Sequence, residues 1–71
     1  MNRLKELRKE KKLTQKELAE ILGISKRTLA YWEKGESQIK TEKAEKLADF
    51  FGVNTAYLLG YSDFPARNLK E

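Results

Sequence analysis

Residues 25–34 combine basic and aromatic side chains at a spacing that suits contact with a polyanion. An α-helix turns by about 100° per residue, so five side chains of this segment fall within roughly 140° of one another. They are Lys26, Arg27, Ala30, Tyr31 and Lys34. Long cationic donors offset phosphate charge and reach base edges, and a small residue lets the helix lie close to the groove. This acid-free face predicts a helix that lies in the major groove of duplex DNA.

The first turn of this helix holds the donors best placed to reach bases, Lys26 and Arg27. Tyr31 lies one turn further and offers its ring to a thymine methyl or its hydroxyl to a phosphate. Gln15 starts the preceding helix, where its amide and the free backbone N–H groups are expected to hold a phosphate. The complete set of residues that we predict to contact DNA is Gln15, Lys16, Ser25, Lys26, Arg27, Thr28, Tyr31, Lys34 and Lys40.

A solvated surface is the alternative interpretation of these residues. Lysine and arginine on an exposed helix also serve solubility, without any nucleic-acid role. Gln15 is an ordinary helix former, and the Thr28 hydroxyl can bond to its own helix. The tight turn before the cationic face favours DNA contact over this alternative.

Capping residues mark the elements that must position this face. Thr14 and Glu17 have the spacing of a capping box, and Ser25 and Asn54 are the other predicted N-caps. Four predicted helix ends coincide with glycines, because glycine adopts positive φ at little cost. These glycines are Gly23, Gly35, Gly52 and Gly60.

Apolar periodicity predicts two further helices, about Asn2 to Lys11 and about Thr41 to Phe51. No segment shows the two-residue alternation that is typical of strands. The sequence therefore predicts an all-α fold, a compact bundle of five short helices that contains a helix-turn-helix. We expect the DNA-binding domain to span residues 1–61, and a tail over residues 62–71 to be either flexible or in contact with a dimer partner.

The connection between the second and third helices is as short as in a helix-turn-helix motif. Only Leu22, Gly23 and Ile24 precede the Ser25 cap. Ala19 is expected where the two helices cross, because its small side chain permits close approach. We expect the wedge between them to be filled by Leu18, Leu22, Ile24 and Leu29, with Trp32 closing the core beneath.

The composition argues against catalysis. The 71-residue chain has no cysteine and no histidine, which removes disulfides, thiolate clusters and the commonest metal ligand and general base. Its eleven acidic residues are scattered among fifteen basic ones at helical spacing and indicate solvated faces rather than paired catalytic carboxylates. We therefore expect no enzyme activity, no metal and no cofactor.

Charge distribution and hydropathy indicate the kind of partner. Residues 1–40 carry eleven Lys and Arg against six Asp and Glu, whereas residues 41–71 carry four against five. A basic half suits a polyanion, because neutralised phosphates release condensed counterions. No apolar run approaches the roughly 18 residues of a membrane span, and the N-terminus lacks the apolar region of a signal peptide. We expect a cytoplasmic protein with no membrane partner and no small-molecule ligand.

The segment LTQKELAEILGISKRTLAYWEKGES resembles the Cro and phage C1 repressor family, also called XRE-like, of helix-turn-helix proteins. The similarity runs from about Arg3 to Gly60. Its most specific parts are Thr14-Gln15, Leu18-Ala19, Gly23-Ile24-Ser25 and Trp32-Glu33-x-Gly35. The resemblance implies a five-helix domain of the lambda-repressor type whose third helix contacts the major groove, usually as a dimer on a two-fold symmetric operator.

The same resemblance implies roles for individual residues. Lys26, Arg27 and Tyr31 occupy base-contacting positions, and Gln15 occupies a position that contacts a phosphate or supports a base contact. Arg8 and Glu33 match a pair that forms a salt bridge between the first and third helices, so we interpret both as structural.

Two features depart from the family pattern. Relatives often have more basic residues and a proline in the loop Gly35 to Lys40, whereas this chain has Glu36 and Ile39 there. Lys40 is the remaining candidate for a phosphate contact from this loop. Many relatives also continue into a second, ligand-sensing or oligomerising domain.

We expect from these observations a sequence-specific regulator of transcription, a repressor by resemblance, that binds double-stranded operator DNA as a homodimer. Tyr57, Tyr61 and Phe64 are expected to form the dimer contact, unless the last helix folds back over them. The alternative is an antitoxin or another protein-interaction module that binds DNA secondarily. A partner protein docked on these aromatic residues and the tail would favour that alternative.

Overall fold

The structure is a computed structural model that describes residues 2–65. Short turns join five α-helices in this range, and no strand occurs among the described residues. The helices are α1 Leu4–Glu10, α2 Gln15–Leu22, α3 Lys26–Lys34, α4 Thr41–Phe51 and α5 Thr55–Leu59. The predicted all-α, five-helix architecture is therefore confirmed. No helix in the described part of the chain has the length and apolar character needed to cross a membrane.

Side-chain caps determine where three of these helices begin. The Thr14 hydroxyl accepts a bond from Glu17 N at 3.0 Å, and Thr14 N donates to Glu17 Oε1 at 2.8 Å. Ser25 Oγ caps α3, and Asn54 Oδ1 caps α5 in the same way. Each cap satisfies an amide that the helix itself leaves without a partner. All three predicted N-caps are confirmed.

α1 is shorter than the predicted helix from Asn2 to Lys11. Asn2 lies before the helix, where its Oδ1 accepts a bond from Leu4 N at 3.0 Å and its Nδ2 donates to Trp32 O at 2.8 Å. At the other end, Lys12 has a φ of 60°, in the left-handed region that favours glycine. A lysine adopts this backbone only at a cost of about 1–2 kcal/mol. Because this helix end has no glycine, the positions of the glycines in the sequence do not predict it.

Each helix contributes one fully buried leucine to a single core. These residues are Leu4, Leu18, Leu29, Leu47 and Leu58. Trp32 is also buried, as predicted, whereas Leu22 and Ile24 are half-buried and pack against the core from its edge. The predicted wedge is therefore filled from within by Leu18 and Leu29 and closed at its edge by the other two.

The turn between α2 and α3 depends on the backbone of Gly23, which has a φ of 72°. A methyl group at this position would meet no atom within 4 Å, so the requirement for glycine is conformational and not steric. Ile24 N then donates to Ala19 O at 3.0 Å, and Ala19 itself is buried. The bond closes the C-terminal end of α2, and the burial of Leu18, Ala19 and Leu29 in one core packs α2 against α3 across the short turn.

Residues 62–65, the described part of the predicted tail, contact both α5 and the N-terminus. Arg3 Nη1 donates to Ser62 O at 3.0 Å, and Arg3 Nη2 lies 2.6 Å from Asp63 Oδ1. Asn54 Nδ2 donates to Phe64 O at 2.7 Å. The remainder of that predicted tail, residues 66–71, lies outside the described residues.

Candidate nucleic-acid interface

α3 carries the predicted cationic face on its exposed side. Lys26, Arg27, Tyr31 and Lys34 are exposed, and Ala30 is half-buried among them. On the opposite side of the helix, the buried Leu29 and Trp32 anchor α3 in the core. Because the helix is held from behind, its basic side chains project outward from a rigid support.

The single acid of α3 is turned away from this face. Glu33 has a side chain that is only 3% exposed, and its Oε2 lies 2.7 Å from Arg8 Nε. Arg8 Nη2 donates to the other carboxylate oxygen at 3.2 Å, and Arg8 Nη1 donates to Leu13 O at 2.7 Å. The carboxylate is thus neutralised inside the protein, and the cations of α3 face solvent without an opposing charge from their own helix.

Gln15, at the start of α2, lies beside this ion pair, and its side-chain amide is not free. Its Nε2 donates to Glu33 Oε1 at 3.0 Å, and the residue is half-buried. A carboxylate can only accept, so the amide nitrogen must be the group that faces Glu33. The predicted phosphate contact of Gln15 would therefore depend on its second N–H or on the backbone N–H groups of the helix start.

Ser25 and Thr28 form a small hydroxyl pair at the start of α3. Ser25 Oγ accepts from Thr28 N at 3.0 Å and donates to Thr28 Oγ1 at 2.9 Å. Ser25 is exposed, and Thr28 is half-buried. Both residues therefore serve the cap of α3 and lie beside Lys26, whose side chain is exposed.

The loop between α3 and α4 lies beside the start of α3 and brings Lys40 to the candidate interface. A groove of about 430 Å³ separates the two, and its lining includes both polar and apolar residues. These are Ile24, Ser25, Thr28, Trp32, Ser37, Gln38, Lys40 and Lys43. The sequence analysis did not identify Ser37, Gln38 or Lys43, because only the packing of the loop against α3 places them there.

The exposed cations of the candidate interface are free of ion pairs with the described residues. This holds for Lys16, Lys26, Arg27, Lys34 and Lys40, since the ion pairs that we observe join Arg3 to Asp63 and Arg8 to Glu33. Surface lysine and arginine without ion pairs can neutralise phosphates and release the counterions of the DNA, and no ion pair within the protein has to break first. The described residues also contain no group of His, Cys, Asp and Glu that could hold a metal ion.

The aromatic residues predicted to contact a dimer partner lie on α5 and in the segment that follows it. Tyr57 is half-buried, with the Arg3 guanidinium 4.2 Å from the centroid of its ring. Tyr61 and Phe64 are 81% and 69% exposed. The structure therefore covers Tyr57 within the chain and leaves the other two rings at the surface.

The sequence model of the family described as "Helix-turn-helix" matches residues 4–58 of this chain. The chain is 40% identical over 62 residues to the cryptic phage CTXphi transcriptional repressor RstR of Vibrio cholerae, covering 87% of this chain and 56% of that protein. It is equally similar, at 40% over 62 residues, to an uncharacterized HTH-type transcriptional regulator of Methanocaldococcus jannaschii, covering 87% and 94%.

A third similarity is to antitoxin PezA of Streptococcus pneumoniae, at 39% identity over 57 residues, covering 80% of this chain and 36% of that protein. The chain thus spans about half the length of the cholera phage repressor and about a third of the antitoxin. No solved structure is significantly similar to the chain.

Proposed function

This chain belongs to the helix-turn-helix family of transcriptional regulators, and we propose that it binds double-stranded DNA sequence-specifically and thereby regulates transcription. The single observation that carries this proposal is the exposed cationic face of α3, which forms no ion pair with the described residues and is anchored from behind by Leu29 and Trp32. A helix of this kind fits the major groove, where long donors can reach base edges.

Two groups of residues have different tasks in this proposal. Lys26 and Arg27, in the first turn of α3, contact base edges and determine which sequence is bound. Lys16, Lys34 and Lys40 contact phosphates and position the domain on the duplex. Ser37, Gln38 and Lys43 add polar groups beside Lys40 and extend the phosphate contacts along the groove that the loop forms with α3.

The direction of regulation is proposed as repression. The cholera phage relative is named a transcriptional repressor. A domain that binds through α3 would cover the promoter sequence beneath it. In this proposal the protein acts by occupying a site that overlaps the promoter, and it does so in the cytoplasm, where its DNA would be. The chain needs no chemical step for this activity.

We also propose that the protein binds as a homodimer through the surface that contains Tyr61 and Phe64. Two large, exposed aromatic rings on one short segment are typical of an interface, because burying them removes apolar surface from water. Two copies of α3 would then enter successive turns of the major groove, about 34 Å apart, and the operator would be a palindrome.

The test is selection of bound sequences from random duplexes, followed by affinity measurements on the selected site over a range of salt concentrations. We expect an enriched palindrome and an affinity that falls steeply as salt rises, since phosphate contacts release counterions. Replacing Tyr61 and Phe64 by serine should retain an enriched half-site but remove the symmetry. Absence of any enriched sequence, or an affinity insensitive to salt, would contradict the proposal.

Antitoxin activity is the second candidate function, and the similarity to PezA is the observation that favours it. In that case a partner protein would cover Tyr61 and Phe64, and DNA binding would be secondary. The two candidate functions predict different effects of replacing Tyr61 and Phe64 by serine. A regulator loses only the two-fold symmetry of its site, whereas an antitoxin loses a protein partner that copurifies with the unmodified chain.

A further inference from the structure

α2, α3 and α4 line an apolar groove that adjoins the groove beside Lys40, with Trp32 and Lys43 common to both. Its volume is about 230 Å³. The lining consists of Ile21, Leu22, Trp32, Lys43, Lys46, Leu47 and Phe50. It therefore contains five apolar side chains, two lysines and no acid.

Ile21 is the most unusual residue of this groove, because 53% of its surface is exposed. Among the residues that the structure describes, the other large apolar side chains with high exposure are Tyr31, Tyr61 and Phe64. Tyr31 has a proposed role in DNA contact, and the other two in the dimer. Ile21 has no such role, and an exposed aliphatic side chain beside an apolar groove is typical of an interaction site.

Lysines surround the apolar part of this groove. Lys43 and Lys46 line it, and Lys11 Nζ lies 5.5 Å from the centroid of the Phe50 ring. None of the three lysines forms an ion pair with a described residue. A partner that matches this surface must carry negative charge around an apolar group, since complementary potentials favour the correct partner and disfavour others.

The size of the groove indicates what enters it. Pockets for drug-sized ligands have volumes of about 300–1,000 Å³, and this groove is smaller. It suits one large side chain of a macromolecule better than a complete small molecule. Phosphate groups would be attracted to the lysines but would gain nothing from Ile21 and Phe50.

We propose that this groove, lined by α2, α3 and α4, docks an acidic protein segment that inserts one large apolar side chain flanked by carboxylates. The apolar side chain contacts Ile21, Trp32 and Phe50, and the carboxylates contact Lys46 and Lys11, which leaves Lys43 to the groove beside Lys40. Interfaces commonly combine such an apolar anchor in a pocket with a charged rim.

The groove meets α3 at Trp32, on the side of the helix that packs into the core. On a helical wheel Trp32 lies about 240° from Lys26, which is roughly opposite the middle of the cationic face. A segment bound at Ile21 therefore leaves Lys26 and Arg27 accessible. The proposal is independent of the dimer surface, and it requires that the segment and DNA bind at the same time.

Trp32 provides the readout, because it is the only tryptophan of the chain and lines the groove. The probe is a blocked peptide of sequence EEFLEE, titrated while the fluorescence of Trp32 is recorded. We expect saturable binding with a dissociation constant of about 1 mM or tighter. The control peptides KKFLKK and EEGSEE should not bind, because the first has the wrong charge and the second lacks the apolar anchor.

Two variants test the groove itself. Ile21→Ser and Lys46→Glu should each weaken EEFLEE binding at least about fivefold. Ile21→Leu and Lys5→Glu are the matched controls and should leave the affinity unchanged. Lys46 is preferable to Lys43 because Lys43 also lines the groove beside Lys40. All the substituted residues are exposed, and the circular dichroism of each variant verifies its fold.

The proposal is overturned if EEFLEE does not bind, if KKFLKK binds equally well, or if Ile21→Ser has no effect. It is also overturned if an added DNA duplex displaces the peptide, because the groove would then belong to the DNA surface. Sedimentation of the free chain tests whether a second copy of the chain occupies the groove. Self-association that Ile21→Ser abolishes would assign the groove to a second copy instead.

Discussion

Glu33 and Arg8 form an ion pair that joins α3 to α1, with Glu33 Oε2 only 2.7 Å from Arg8 Nε. Both side chains are largely buried, and Gln15 of α2 donates a third hydrogen bond to the same carboxylate. Three helices therefore meet at one acidic side chain. This arrangement keeps the only acid of α3 away from the cationic face and fixes the position of α3 against its neighbours.

We expect separate replacements of this pair to be much more destabilising than their combination. Glu33→Leu leaves a buried guanidinium without a counter-charge, and Arg8→Met leaves a buried carboxylate, so each should lower the free energy of unfolding by about 3–5 kcal/mol. The double variant should recover most of this loss, because no unpaired charge remains. Urea unfolding followed by Trp32 fluorescence measures all three. Losses that simply add would show that the two residues act independently.

The first turn of α3 should determine DNA affinity without affecting stability. Lys26→Ala together with Arg27→Ala should weaken binding to the selected site, by about 1–3 kcal/mol for every base that these side chains no longer reach. The helical circular dichroism and the melting temperature should not change, because the Ser25 cap and Leu29 anchor remain.

The matched control for this experiment is Lys5→Ala together with Lys9→Ala, which removes two exposed lysines of α1. Its effect on specific affinity should be much smaller and should not depend on sequence. If both double variants weaken binding equally, α3 contributes general charge and does not contact bases.

Lys12 is expected to be a site where glycine stabilises the protein. Its φ of 60° is costly for a side chain with a Cβ atom, so Lys12→Gly should raise the free energy of unfolding by roughly 0.5–1 kcal/mol after the greater freedom of the unfolded chain is considered. Lys11→Gly is the control, because Lys11 has an ordinary φ of −87°. That change should destabilise. If both substitutions change the free energy of unfolding equally, the positive φ of Lys12 is not the cause of the effect.

Gly23 should show the opposite behaviour. Gly23→Ala is expected to lower the free energy of unfolding by about 1–2 kcal/mol, since its φ of 72° is unfavourable for alanine although space is available. Gly23→Asn should cost less, because asparagine tolerates the left-handed region better. Thermal unfolding of the two variants ranks them. An equal loss for both would point to a packing role for this position.

The beginnings and ends of most helices follow from the sequence because they depend on local bonds. In the caps of Thr14, Ser25 and Asn54, a side-chain oxygen bonds to an amide three residues away, so neighbouring residues suffice to predict them. The grouping of the cations on one face of α3 is local too, since it results from the helical period, and the apolar Leu29 and Trp32 on the opposite face indicate which side is buried. The exception is the end of α1, where the sequence has Lys12 instead of glycine.

Tertiary structure alone decided how distant segments meet. The bond from Gln15 to Glu33 and the position of Lys40 beside Ser25 both depend on the packing of helices that no local pattern specifies. The same holds for Ile21, whose place in an apolar groove requires α4 next to α2. Local sequence determines which atoms within one turn can bond, whereas the burial of one leucine from each helix determines which turns become neighbours.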